Sequence, residues 1–405
     1  MWIYIVLYML LFLTTMCEVS EKTKKYNLFF IYFWVVVFTL FRGLRWSTGT
    51  DWAQYQACFD RAGWDSIFSY YRYGLYTEVM EFGYVFINVL IKTIFGHYTF
   101  FLIITNLIIL LNFAYFSRKY VPRNPLLTFS LLVVYNPIFP VRQDIAMVLL
   151  FWACHFSICK RYILSMAFVL LASTIHDMSV IFIPLCLLFC VNIRLSWLFG
   201  ISLLFVLFVN VESLLNLLDL LGGLSFGAVS EMSTLYLENV TSEPTKMSVF
   251  RYLYVAVFVL MFKYYYNVRG RVPEKLYATL PSALQEKFSN GLSHLEMKLR
   301  ALNFYTNAYL CMFLVYFLSG LGGPMVGFGR LAHFFFPSFP FAFMIMYSLE
   351  YSEKYRRILL GIFVLFFMYQ FFRFQIIDLF GLYEGIYNPY YTVFETIPKS
   401  RIEVW

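Results

Sequence analysis

An all-α membrane protein with many crossings follows from three observations. The 405 residues are 61% hydrophobic and 22% aromatic but only 13% charged, too little polar surface to coat a soluble globule of this size. Apolar runs of mostly about 15 to 20 residues recur along the chain, the length a helix needs to cross the hydrocarbon core. None shows the sustained alternation of an outer-membrane barrel. The expectation is one polytopic domain over residues 1–405, with about 12 transmembrane helices plus a re-entrant or interfacial half-helix. The net charge of +8 does not point to nucleic acid, because the lysines and arginines fall in short blocks between apolar runs, the positive-inside pattern.

Met1 to Cys17 lacks a basic leading region and is followed by Glu18, Lys22, Lys24 and Lys25, so it reads as a retained first helix. The Lys-rich turn is placed inside. The helix from about Asn27 to Phe41 then runs outward, which makes 42–82 an external loop with acids at 51, 60, 65, 78 and 81, tryptophans at 52 and 64, and a tyrosine cluster. Residues 83–95 are apolar but short for a span and contain Lys92. Because Arg118, Lys119 and Arg123 belong inside, one crossing from Tyr98 to Phe116 suffices and 83–95 is the half-helix.

An outward helix from Pro125 is broken at Asn136-Pro-Ile-Phe-Pro140. Arg142 and Gln143 open the next helix from the external side, and Lys160-Arg161 closes it. A short run from Ile163 to Ile175 carries His176-Asp-Met-Ser179 at its outer end. The chain descends to Arg194, rises again, and forms a second external loop, 212–248, with five acids against one lysine. Residues 268–300 are an internal amphipathic segment. Another outward helix ends in the Gly-rich turn 320–329, followed by Arg330 and His333; Lys354, Arg356 and Arg357 mark the inside once more. The last helix leaves both termini external.

This orientation, fixed by the basic loops, brings the polar groups to one face. Arg42, Arg45, Asp51, Glu81, Arg142 with Gln143, His176 with Ser179, and Arg330 all lie outside. Ionisable groups recurring at one membrane depth are costly enough to count as a functional hypothesis, although each alone also has a structural reading: an interfacial anchor, a helix cap, a satisfied histidine. Arginine presents a permanently charged planar fork that matches phosphate oxygens. Arg142, Arg330 and Arg42 or Arg45 therefore suit a pyrophosphate leaving group. Glycosyl transfer from such a donor also needs a proton acceptor at the acceptor hydroxyl, for which Asp51, His176 and Glu81 are candidates. Trp52, Tyr55, Gln143 and Ser179 are the candidate glycan contacts. No metal or cofactor is expected: the cysteines at 17, 58, 154, 159, 186, 190 and 311 form no Cys-x-x-Cys pair, and the side chains of His176 and Asp177 diverge if they lie on a helix. A flippase for lipid-linked glycans would want charge at mid-span, where Lys92 is the main exception to an apolar interior. A membrane O-acyltransferase would want its histidine facing the cytoplasm.

The segments FRGLRWSTGTDWAQY (41–55), MEFGYVFINVLIK (80–92), NPIFPVRQDIAMVLLFWA (136–153), ASTIHDMSVIFIP (172–184) and GRLAHFFFP (329–337) together resemble the EpsG family of Wzy-like bacterial polysaccharide polymerases, in order and approximate spacing. The resemblance extends over residues 1 to about 350. It implies a GT-C-like, metal-independent inner-membrane polymerase joining undecaprenyl-pyrophosphate-linked oligosaccharide repeat units at the external face, for capsule, exopolysaccharide or O-antigen, alongside a flippase and a chain-length regulator. The residues it carries over are Arg42, Gly49, Thr50, Asp51, Tyr55, Glu81, Gly83, Arg142, Gln143, His176, Ser179 and Arg330. Phe82 stands where the family usually has proline after the glutamate.

Overall fold

The computed structural model describes residues 2–20, 22–49, 52–65, 67, 80–136, 138–139, 142–191, 257–267, 282–319, 331–350, 352–377, 387 and 389–395. Among these the regular structure is helical, with one isolated antiparallel bridge, Arg45 opposite Thr392. The helices are α1 (Trp2–Met16), α2 (Asn27–Gly43), α3 (Trp52–Arg61), α4 (Phe82–Phe95), α5 (Tyr98–Tyr120), α6 (Pro125–Tyr135), α7 (Arg142–Ile158), α8 (Tyr162–Ser173), α9 (Phe182–Leu188), α10 (257–267), α11 (Ser282–Ser319), α12 (Ser338–Leu349) and α13 (Glu353–Gln370), which runs on into a π-helical stretch, Phe371–Ile377. Four described helical segments are long and apolar enough to cross a membrane: Trp2–Val19, Lys24–Gly43, Tyr98–Tyr120 and Glu353–Arg373. Shorter apolar helices include α4, α6 and α8.

Two compact units make up the chain. The first holds Met1–Ala153, Met166–Val180 and Tyr347–Trp405; the second holds Cys154–Ser165 and Ile181–Met346. In the first, α1 shows how a lipid-facing helix is written. Tyr4, Tyr8, Leu11 and Thr15 are buried on one stripe at helical spacing, while Trp2, Val6, Leu10 and Leu13 are exposed. Lipid tails are as apolar as leucine, so the stripe must be held by close packing. Tyr4 meets Phe41 edge-on at 5.6 Å and Tyr8 meets Phe38 at 5.3 Å, contacts worth about 0.5–1.5 kcal/mol each beyond burial.

Glu18 fixes which helix ends lie together. Its carboxylate accepts from Leu126 N–H at 3.1 Å and Leu127 N–H at 2.7 Å, and from Asn27 Nδ2 at 2.8 Å. Those two amides belong to the unsatisfied first turn of α6, which opens with Pro125 at a position where no amide donor is needed. The exit of α1, the entry of α2 and the entry of α6 therefore share a side, beside the lysine-rich turn. The opposite ends of α2 and α6, and the starts of α4 and α7, come out at the other.

Residues 42–82 are not simply a loop, because α3 lies within them. Its buried Trp52, Tyr55 and Phe59 fall at i, i+3 and i+7, the amphipathic pattern. Of the amphipathic segment expected over 268–300, the part from Ser282 is helical and joined to the helix after it. From Ser282 it continues without a break to Ser319 as α11, a 38-residue helix of about 57 Å, since nothing in the sequence around Arg300 terminates it. In the second unit α11 is tied down by buried amides: Asn303 accepts from Lys263 Nζ at 2.7 Å and Asn307 donates to Phe189 O at 2.9 Å. The expected external loop 212–248 and the Gly-rich turn 320–329 lie outside the described residues.

Candidate active site

Arg42 is in the last turn of α2, where the free carbonyls favour a cation, and Arg45 follows at the exit. Both side chains point inward: Arg42 is 0% exposed and Arg45 1%. The Arg42 guanidinium carbon stands 5.5 Å from the Phe38 ring centroid, and Tyr8 faces it without reaching hydrogen-bond geometry. Among the described residues none of its three nitrogens has a hydrogen-bond partner. Arg45 lies 4.5 Å from the Phe139 centroid, in cation–π range, and its Nε is also unpartnered. Burial pushes the Arg45 guanidinium below its ordinary range, opposed by Tyr98, Tyr387 and Tyr390 and reinforced by Arg42. Gly49 completes the turn with φ +111°, where a side chain would be strained, and a Cβ there would sit 3.1 Å from Arg45 Nη1. The chain can fold back against the guanidinium only with glycine at this point.

A second group forms where α4, α7 and the end of α8 meet. Gly83 N–H donates to Thr174 O at 2.6 Å, and a Cβ on Gly83 would come within 2.7 Å of that oxygen. This approach brings Glu81, just before α4, to the turn after α8. One carboxylate oxygen accepts from Arg142 Nη1 at 2.7 Å and the other from Asp177 N–H at 3.1 Å. Glu81 and Arg142 are both buried. Burial holds the Glu81 carboxyl above the usual carboxylate range, with Arg142 pulling it down and Asp177 pushing it up. Asp177 was not among the candidate site residues; only its position beside His176 in the sequence pointed to it. Cys58, on α3, lies close to Arg142 and Glu81, and Tyr98 lies close to Cys58 and Arg45, so α3 and the start of α5 connect the two groups.

The other candidates divide. His176 is half-buried in the turn between α8 and the short 3₁₀ helix Asp177–Ile181, and Ser179 is fully buried in that helix with its hydroxyl unpartnered. Gln143 is half-buried at the second position of α7. Trp52 and Tyr55 are not open stacking surfaces. Trp52 packs on Trp46 at 4.8 Å and on Tyr98 at 5.9 Å, and Tyr55 on Tyr84 at 5.7 Å, because α3 turns its apolar stripe inward. Asp51 and Arg330 lie outside the described residues. Lys92, the charge that a transport pathway would have used, donates to Asp60 O at 2.7 Å and Ala62 O at 2.9 Å, closing the C-terminal end of α3. No group of three histidine, cysteine or acidic side chains that could hold a metal ion occurs among the described residues.

Among the described residues the first unit thus gathers buried arginines and a carboxylate at the ends of apolar helices. The chain belongs to the EpsG family, a family of Wzy-like polysaccharide polymerases, whose model matches residues 28–392. Neither the curated proteins nor the solved structures gave a match.

Proposed function

We propose that the protein is a membrane glycosyltransferase that polymerises oligosaccharide repeat units carried on undecaprenyl pyrophosphate, at the external face of the bacterial inner membrane. The observation that supports this most directly is the Arg42 guanidinium, fully buried with all three nitrogens lacking a hydrogen-bond partner among the described residues. An unpaired buried charge costs several kcal/mol, and a pyrophosphate offers the oxygens that would satisfy it. In this reading Arg42 and Arg45 bind the leaving group, with Arg330 as a further contact, and the fixed cations stabilise the negative charge that grows there as the glycosidic bond breaks. Arg142 stands in the same assembly, aimed by Glu81. Since Glu81 is engaged in that pair, Asp51 and His176 are left to take the proton from the acceptor hydroxyl.

The same reading places about 12 crossings in a GT-C-like arrangement with both termini outside, needs no metal or cofactor, and assigns the product to capsule, exopolysaccharide or O-antigen, in company with a flippase and a chain-length regulator. The decisive experiment supplies purified protein with lipid-linked repeat units and, in parallel, deletes the gene. Long polymer should form in the first case. In the second, single lipid-linked units should accumulate at the external face; their retention inside would instead mark a flippase.

A further inference from the structure

Part of what covers the buried Arg45 lies more than 340 residues further along the chain. Thr392 stands opposite Arg45 in the antiparallel bridge, with Trp46 N–H donating to Tyr391 O and Val393 N–H to Leu44 O, both at 2.9 Å. Tyr390 lays its ring on Phe41 at 4.9 Å and donates its hydroxyl to Phe41 O. Tyr387 stacks on Phe139 at 5.7 Å, the ring that faces the Arg45 guanidinium, and its carbonyl accepts from Tyr4 Oη at 2.8 Å.

This cover brings no counter-charge. Glu395 is turned back on Thr392, accepting from its amide at 3.4 Å and its hydroxyl at 3.2 Å. Tyr387 and Tyr390 thus stand beside the Arg45 guanidinium, and among the described residues the segment turns no carboxylate toward it. Its hold on the arginine turn among the described residues is through aromatic rings and short-range backbone pairing. The pairing with the arginine turn is a single bridge, short of the three or more strands a sheet needs to be stable in its own right, and Phe394, next along, is 82% exposed.

We propose that residues Tyr390–Val393 are a displaceable cover over the arginine turn, which lifts to let the phosphates of the lipid carrier reach Arg45. The proposal rests on the reading of Arg45 as a phosphate ligand. It makes the segment and the phosphate competitors for one face of the guanidinium, so affinity for the carrier is reduced by the fraction of time the cover is closed.

A disulfide across the bridge tests this. Leu44 and Val393 face each other across the pairing, where opposed Cα atoms are about 5.5 Å apart, within disulfide range. In the double variant Leu44→Cys, Val393→Cys, the oxidised protein should polymerise at least about tenfold more slowly than the same sample after reduction. Modification of Arg45 by phenylglyoxal, followed by peptide mass spectrometry, should slow by a similar factor. Equal phenylglyoxal rates in the two states would overturn the cover. If neither the reduced variant nor the wild type polymerises lipid-linked units, the functional reading fails while the phenylglyoxal comparison still decides about the cover. Amide exchange on the wild type needs no substitution: the Trp46 and Val393 amides should exchange far faster than those in the middle of α2, and equal protection would also overturn the proposal.

Discussion

The two arginine groups of the first unit use the same side chain in opposite ways. Arg142 is neutralised by Glu81 at 2.7 Å, and the same carboxylate reaches the Asp177 amide, so a buried cation is fixed in place between α4, α7 and the turn after α8. Arg42 is equally inaccessible but is surrounded by Tyr8 and Phe38 and has no hydrogen-bond partner. The first arrangement is close to a finished piece of structure. The second, in the function proposed above, is completed by the phosphates of the lipid carrier. Within one set of candidate ligands, the Arg142 group is thereby suited to orient and the Arg42 and Arg45 turn to bind.

The largest test of this contrast is stability. Glu81→Ala should destabilise the protein by about 3–5 kcal/mol, because it removes the carboxyl group that holds both the buried Arg142 guanidinium and the Asp177 amide. Replacing the pair together, Glu81→Leu with Arg142→Met, should recover most of that loss; thermal unfolding in detergent measures both, and a double variant as unstable as Glu81→Ala would mean that the pair is not the source. Arg42→Met should do the reverse. It removes a charge with no partner, so stability should rise, on the order of 1–4 kcal/mol, while polymer formation is lost, as expected where function keeps a strained group in place. A marked loss of stability in Arg42→Met would show that the turn is structural after all.

A third and smaller effect separates charge from shape. Arg142→Lys and Arg330→Lys keep the charge but lose the planar fork, and each should lower polymer yield by about tenfold, read by gel analysis of the polysaccharide. Normal yield from both would remove them from any clamp on the pyrophosphate.

The parts of this arrangement that could be read from sequence are those a membrane makes conspicuous. Arg42, Arg45 and Arg142 stand at the edges of apolar runs, where a charge is expensive and easily noticed. The short α4 was legible for the same reason, as an apolar stretch too brief to span with ease. Partnership was not legible. Glu81 and Arg142 are 61 residues apart, and nothing in either segment says that one carboxylate serves both Arg142 and the Asp177 amide; the clue was Gly83, whose missing side chain permits the approach to Thr174. Trp52 and Tyr55 look like exposed stacking residues until their spacing with Phe59 is read as a helix stripe. The pairing of Tyr391 and Val393 with the arginine turn has no motif at all, because it is made by backbone atoms and aromatic rings that any aromatic-rich tail could supply.

The finest distinction between the two groups is in their response to pH. Burial raises the Glu81 carboxyl above its usual range more than Arg142 lowers it, so the folded protein binds this proton more tightly than the unfolded chain, whose glutamates titrate near about 4.3. By linkage the group's contribution to stability is fully present below that value and is lost as pH rises through the folded one. On acidification from neutrality toward about pH 4, the wild type should therefore gain stability relative to Glu81→Gln. Activity should move the other way: protonation removes the charge that orients Arg142, giving an acid limb that begins above the ordinary carboxylate range and that flattens in Glu81→Gln at a lower overall rate. The stability difference between Arg42→Met and the wild type should stay constant over the same interval. An acid limb unchanged by Glu81→Gln, together with one abolished in His176→Ala, would transfer the titration to the imidazole and leave Glu81 with a purely structural part.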